Sequence, residues 1–166
     1  MKDPIVIIGL GQIGCVFANG FLKAGHAVYP VTRDMDMDAE ATRIPEPAFT
    51  ILAVAENDLH PALDAIPQAW RGRLGLVQNE LLPGDWEGHG IPDPTVISVW
   101  FEKKKGQDVK IVVPSPVWGP HAGLINNALD TLDIPNYRVD SADEMLYELV
   151  RKNAYILTAN IAGLVV

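Results

Sequence analysis

A chain of 166 residues with 48% hydrophobic content is long and apolar enough for one domain with a real core, which excludes a disordered chain. A formal net charge of −8 excludes a general nucleic-acid binder, because phosphate-backbone binding needs a basic surface; it leaves room for a ligand that needs only a local anion site. The single cysteine, Cys15, has no internal disulfide partner, and no Cys/His cluster has zinc spacing. The apolar-rich segment from Met145 to Val166 is interrupted by Glu148, Arg151, Lys152, Asn153 and Asn160, so no membrane span is expected. Met1-Lys2-Asp3-Pro4 leads straight into a strand without a signal-peptide pattern, and a cytoplasmic protein is expected.

Ile5-Val6-Ile7-Ile8 reads as a buried parallel strand. Gly9-Leu10-Gly11-Gln12-Ile13-Gly14 follows as a Gly-x-Gly-x-x-Gly run and opens a helix whose apolar face is Ile13, Val16, Phe17, Phe21 and Leu22. Gly9 permits the tight strand-to-helix turn, Gly11 lets a pyrophosphate approach the backbone, and Gly14 lets the helix pack close to the strand. The helix N-terminus offers free N–H groups and the positive end of a dipole to an anion. Cys15 reads as a small residue packed against the strand rather than a reactive thiol. Gly25 ends the helix, and Ala27 to Thr32 forms a second strand at the right distance for dinucleotide binding. At its end, Arg33 offers a guanidinium to the 2′-phosphate of NADP, while Asp34 keeps NAD possible.

The acidic stretch Asp34 to Asp38 and Pro45-Glu46-Pro47 reads as a short solvated connection with little room for a crossover helix. Phe49 to Val54 is a third buried strand; Val54 and Ala55 at its end border the cofactor, and Asn57 or Asp58 caps a helix that reaches Ile66 with Pro61 in its first turn. Leu74 to Asn79 is a fourth strand whose C-terminal end faces the ligand crevice, so Asn79 either bonds a ribose or substrate or bonds its own turn. Pro83-Gly84-Asp85 starts a loop through Trp86, His89 and Pro94. Thr95 to Phe101 is a fifth strand, and Glu102 to Asp108, with Lys103, Lys104 and Lys105, is a charged hairpin turn before a returning strand from Val109 to Val113. That hairpin predicts antiparallel strands appended to the parallel sheet. A helix from Ala122 to Leu132, an extended segment from Ile134 to Val139 and a final helix from about Ala142 towards Val166, opened by Asp140-Ser141-Ala142-Asp143, complete the chain. The expected fold class is α/β: a Rossmann-type, doubly wound, mostly parallel sheet with an antiparallel hairpin and a long C-terminal helix.

The segment Glu148 to Ala154, with Asn160 eight residues after Lys152, resembles the ketopantoate reductase family. The resemblance also covers Gly9, Gly11 and Gly14, the Gly25-His26-x-Val28 start of the second strand with Arg33 at its end, Asn79 and the Gly119-Pro120 turn. It implies a dinucleotide-binding domain over residues 1–142, with 143–166 as the start of a second, helical domain that is otherwise absent. It further implies NADPH-dependent reduction of 2-dehydropantoate or another small 2-oxo acid, with Lys152 as the catalytic lysine and Asn79 and Asn160 orienting substrate and cofactor. Lys152 and Asn160, two turns apart, share a helix face. Gly9, Leu10, Gly11, Gln12, Ile13, Gly14, Arg33, Val54, Ala55 and Asn79 are the cofactor-binding candidates. Two positions depart from the family: Ile156 stands where it has a further asparagine, and Glu56 where it often has a phosphate-binding lysine. The alternative is a non-catalytic NAD(P)-binding protein. The final helix, with Leu146, Leu149, Val150, Ile156, Leu157, Ile161, Leu164 and Val165, is apolar over more than one face and predicts a homodimer through that helix.

Overall fold

The structure, a computed structural model, describes residues 2–164. The strands are β1 (Lys2–Ile8), β2 (His26–Val31), β3 (Phe49–Leu52), β4 (Leu74–Leu76), β5 (Thr95–Ile97), β6 (Phe101–Glu102), β7 (Lys110–Ile111), β8 (Ser115–Trp118) and β9 (Asn136–Arg138). The helices are α1 (Gln12–Lys23), α2 (Met37–Arg43), α3 (Leu59–Ala65), α4 (Gln68–Arg71), α5 (Pro83–Glu87), α6 (Ala122–Asp130) and α7 (Ala142–Leu164). Seven strands form one sheet in the order β2-β1-β3-β4-β5-β8-β9. The first five are parallel, β8 runs antiparallel to β5, and β9 is parallel to β8. This is the expected Rossmann-type α/β fold with its long C-terminal helix.

Period-2 alternation along β1 creates the two layers. Ile5 and Ile7 point to one face, where they meet Phe17 and Phe21 of α1 and Ile125 and Leu129 of α6. Val6 and Ile8 point to the other, where they join Leu59 and Leu63 of α3, Trp70 of α4 and Met145 and Leu149 of α7. Each such fully buried side chain is worth about 1.5–3 kcal/mol of apolar transfer. Trp70 also satisfies its indole by donating to the Ile44 carbonyl at 2.9 Å. The chain leaves β1 towards β2 on one side and returns to β3 on the other. The sheet order therefore reverses beside the C-terminal ends of β1 and β3, the place where open α/β sheets leave a crevice.

Several expectations need correction. The acidic connection after β2 does hold a helix, α2: Asp36 caps it, its Oδ1 accepting from the N–H groups of Asp38 and Ala39 at 2.9 and 3.3 Å, and Met35, Met37 and Ile44 pack on the core. The expected loop at Pro83 is the short helix α5, with Pro83 at a first-turn position. The expected fifth strand is broken: β5 ends at Ile97, and the chain turns out of the sheet where the Trp100 N–H donates to Ser115 Oγ at 2.9 Å. The β6–β7 hairpin exists but is a separate two-stranded ribbon; β8 is the antiparallel strand added to the main sheet. Leu22 lies outside the buried face of α1, 57% exposed, and Cys15 is exposed rather than packed against the strand. The final helix was expected to reach Val166; residues 165 and 166 and the side chain of Leu164 lie outside the described residues.

Candidate functional site

The glycine turn after β1 is built around two contacts. Gly9 has φ +92°, and a Cβ there would meet the Ala53 carbonyl oxygen at 2.7 Å. A Cβ on Gly14 would fall 2.1 Å from the Gly9 carbonyl oxygen, so α1 touches the turn backbone to backbone. Gly11, the N-cap of α1, has nothing within 4 Å of its Cβ position. The space a side chain would fill is open, and the first N–H groups of α1 have no carbonyl of their own helix to bond. That arrangement suits an anionic diphosphate.

Two chambers meet over this turn. The first, about 710 Å³, is lined by Gly9, Leu10, Gly11, Val31, Arg33 and Asp58 among others. Arg33 Nη2 donates to Asp58 Oδ2 at 2.6 Å. Asp58 stands at the N-terminus of α3, but its carboxylate serves Arg33 and not the helix cap. The Arg33 side chain is 86% exposed, so Asp58 holds it at the rim rather than sealing it inside.

The second chamber, about 660 Å³, shares Gly11, Ala53, Val54 and Ala55 with the first and continues past Gln12, Ile13 and Asn79 to Lys152 of α7. Lys152 is buried. Its Nζ donates to the Val99 carbonyl at 2.5 Å and lies 4.5 Å from the Trp100 ring centroid. Burial lowers its pKa below the ordinary lysine value, and the carboxylate of Glu102 partly opposes that shift. Tyr155, one turn on, packs against Trp100 at 5.0 Å between ring centroids.

Glu56 lines the same chamber, and its Oε1 accepts from the backbone N–H of Asn79. Burial raises the pKa of Glu56; the Asn79 N–H opposes this, and the charges of Glu80 and Asp85 add to it. Gln78 bridges the ends of two strands: Nε2 donates to the Leu52 carbonyl at 2.8 Å and Oε1 accepts from the Val77 N–H at 3.2 Å.

Gly9, Leu10, Gly11, Gln12, Ile13, Arg33, Val54, Ala55, Asn79 and Lys152 thus all line one or the other of two adjoining chambers. Gly14 stands behind it, in the role of close packing. Asn160 is exposed and lines neither chamber. Ile156 does line the second chamber. Gln78, whose only sequence signal is an amide closing an apolar run, also lines the second chamber, as do Lys103 and Lys104 of the expected charged turn.

No family model and no curated protein matches the chain. Among solved structures it is similar to a protein of Bacteroides fragilis described as an NADP oxidoreductase, with a TM-score of 0.65 and 19% identity over 97% of this chain and 66% of that one. A ketopantoate reductase from Ralstonia eutropha gives 0.61 at 14% identity, over 87% and 59%. A protein of Arthrobacter described as an F420-dependent NADP reductase gives 0.65 at 14% identity, over 98% and 96%. At these identities the likeness shows the fold. The chain spans less than two thirds of the length of the first two.

Proposed function

We propose that this chain is an NADP-dependent oxidoreductase that reduces a small 2-oxo acid. The observation that supports it best is a pair of adjoining chambers with Gly11, Ala53, Val54 and Ala55 in common, one over an open glycine turn fit for a diphosphate and the other reaching a buried ammonium. Glycine-turn donors hold the diphosphate, Val54 and Ala55 border the dinucleotide, and Arg33 leaves Asp58 to pair with a 2′-phosphate. When bound, the coenzyme supplies a hydride to the carbonyl carbon. Lys152 stabilises the negative charge that develops on the carbonyl oxygen and delivers a proton to it, giving the 2-hydroxy acid. Asn79 orients the ribose or the substrate from the end of β4. Asn160 reaches a ligand only if the end of α7 closes over the chamber.

Coenzyme fluorescence tests the first half. NADPH is expected to bind more tightly than NADH, and Arg33→Ala to weaken NADPH about tenfold while sparing NADH, the scale of one charge-assisted contact. Equal loss for both coenzymes would remove Arg33 from the 2′-phosphate. Oxidation of NADPH by a panel of 2-oxo acids tests the second half. A second reading, a non-catalytic dinucleotide binder, is favoured by Ile156 in the chamber wall and by the engagement of Lys152 with Val99 and Trp100. Tight NADPH binding with no turnover selects it.

We also propose that two copies pair through α7. Its first half buries Met145 and Leu149, whereas Val150, Leu157 and Ile161 remain more than half exposed. Light scattering is expected to give twice the chain mass, and Leu157→Asp with Ile161→Asp to give the monomer mass. A monomer at every concentration for the unaltered chain removes the proposal. The unpaired Cys15 suits the cytoplasmic setting expected for such an enzyme.

A further inference from the structure

We propose that the β6–β7 hairpin selects the substrate by charge: Lys103 and Lys104 receive a second carboxylate, distal to the carbonyl, so the enzyme prefers dianionic oxo acids. This rests on the function proposed above and adds a substrate class to it. The hairpin stands apart from the main sheet and is anchored to the core by Phe101, whose ring lies 6.3 Å from that of Phe17 on α1. That anchor brings Glu102, Lys103 and Lys104 into the wall of the Lys152 chamber, while Lys105 and Lys110 stay outside that wall.

The charges in this chamber are not evenly available. Glu56 is occupied by the Asn79 N–H, and Glu102 acts on Lys152. Lys103 donates one ammonium proton to the Gln107 carbonyl within the hairpin, which leaves two for an anion. Lys104, among the described residues, makes no side-chain hydrogen bond or ion pair, so its ammonium is uncommitted. In a chain with a net charge of −8, a lining that sets Lys103, Lys104 and Lys152 against Glu56 and Glu102 has lysines in excess, a local reversal of sign. One cation is placed for the carbonyl oxygen. The two on the hairpin suit an anion at the other end of a short substrate, where charge-assisted bonds give both affinity and orientation.

Two probes of equal chain length separate the charge effect from size: 2-oxoglutarate, a dianion, and 2-oxopentanoate, a monoanion. Calorimetric titration is run on the protein with NADP+ present and again without it. The expected result is a preference of about tenfold for 2-oxoglutarate at low salt, falling to near unity in Lys104→Gln and in Lys103→Gln/Lys104→Gln, with NADPH affinity unchanged. Both side chains lie on an exposed turn, so circular dichroism is expected to match the unaltered chain. Equal binding of the two probes, or a preference that survives the double substitution, overturns the proposal. So does a loss of NADPH affinity in the variants, which would assign these lysines to the coenzyme phosphates. If neither coenzyme binds, the oxidoreductase reading fails; the coenzyme-free titration then still decides whether the hairpin discriminates by charge.

Discussion

Replacing Lys152 by methionine is expected to lower turnover of a 2-oxo acid by at least about 100-fold, the lower end of what a positioned acid contributes, while NADPH affinity changes little. Methionine keeps the length and the contact with the Trp100 ring but removes the proton and the charge. The pH profile adds a test that a merely structural lysine would fail. The ammonium is the working form, so turnover falls as pH rises through the Lys152 pKa. Burial holds that pKa below 10.5, and the alkaline limb should therefore start earlier than for a solvated lysine. Glu102→Gln removes the carboxylate that opposes the shift and should move the limb lower still. The stability effect has the opposite sense. The folded state releases this proton before the unfolded chain does, so the destabilisation from burying the ammonium fades as pH rises from the lowered pKa to the ordinary one. Unchanged turnover in the methionine variant would remove Lys152 from the chemistry.

The parts of the site that are local in sequence were legible in it. Ile5 to Gly14 carries its own strand, turn and helix start, because the alternation, the glycines and the apolar face of α1 all lie within one stretch of chain. Lys152 was singled out only by the resemblance of Glu148 to Ala154 to a known family; by its own surroundings in the sequence it reads as an ordinary surface lysine. Its burial comes from Val99 and Trp100, more than fifty residues earlier, which reach it because the chain turns out of the sheet after Ile97. The same bend explains why one expected strand is two, and why the hairpin forms its own ribbon beside the second chamber. Helix α2 was hidden by composition: Asp36, Asp38 and Glu40 resemble a solvated acidic run, yet carboxylates in a first turn are what a helix N-terminus favours. Strand β8 was hidden by Pro116, which cannot donate to a ladder; its carbonyl still accepts from the Ser98 N–H at 3.1 Å. The Glu56 contact was beyond reach for a different reason, since it joins the ends of β3 and β4 through a backbone N–H that carries no residue signature.

The second large effect separates two glycines three positions apart. Gly14→Ala is expected to destabilise the fold by roughly 3 kcal/mol, near the top of the range for overpacking. For a chain of this size that lowers Tm by about 6–12 °C. The reason is the 2.1 Å between its Cβ position and the Gly9 carbonyl oxygen: neither partner is a side chain that can rotate away, so α1 must move off the turn. Gly11→Val is expected to lower Tm by no more than a few degrees: valine is a poorer N-cap than glycine, but the Cβ position has nothing within 4 Å and the φ of −73° lies in a region open to any residue. The same substitution should weaken NADPH at least about tenfold, because the isopropyl group takes the volume through which a diphosphate reaches the α1 N–H groups. Thermal melts and coenzyme titrations on both variants then distinguish a turn that merely packs from a turn that binds. A Gly11→Val protein that melts normally and still binds NADPH with unaltered affinity would remove the diphosphate from this turn, and the assignment of the whole crevice with it.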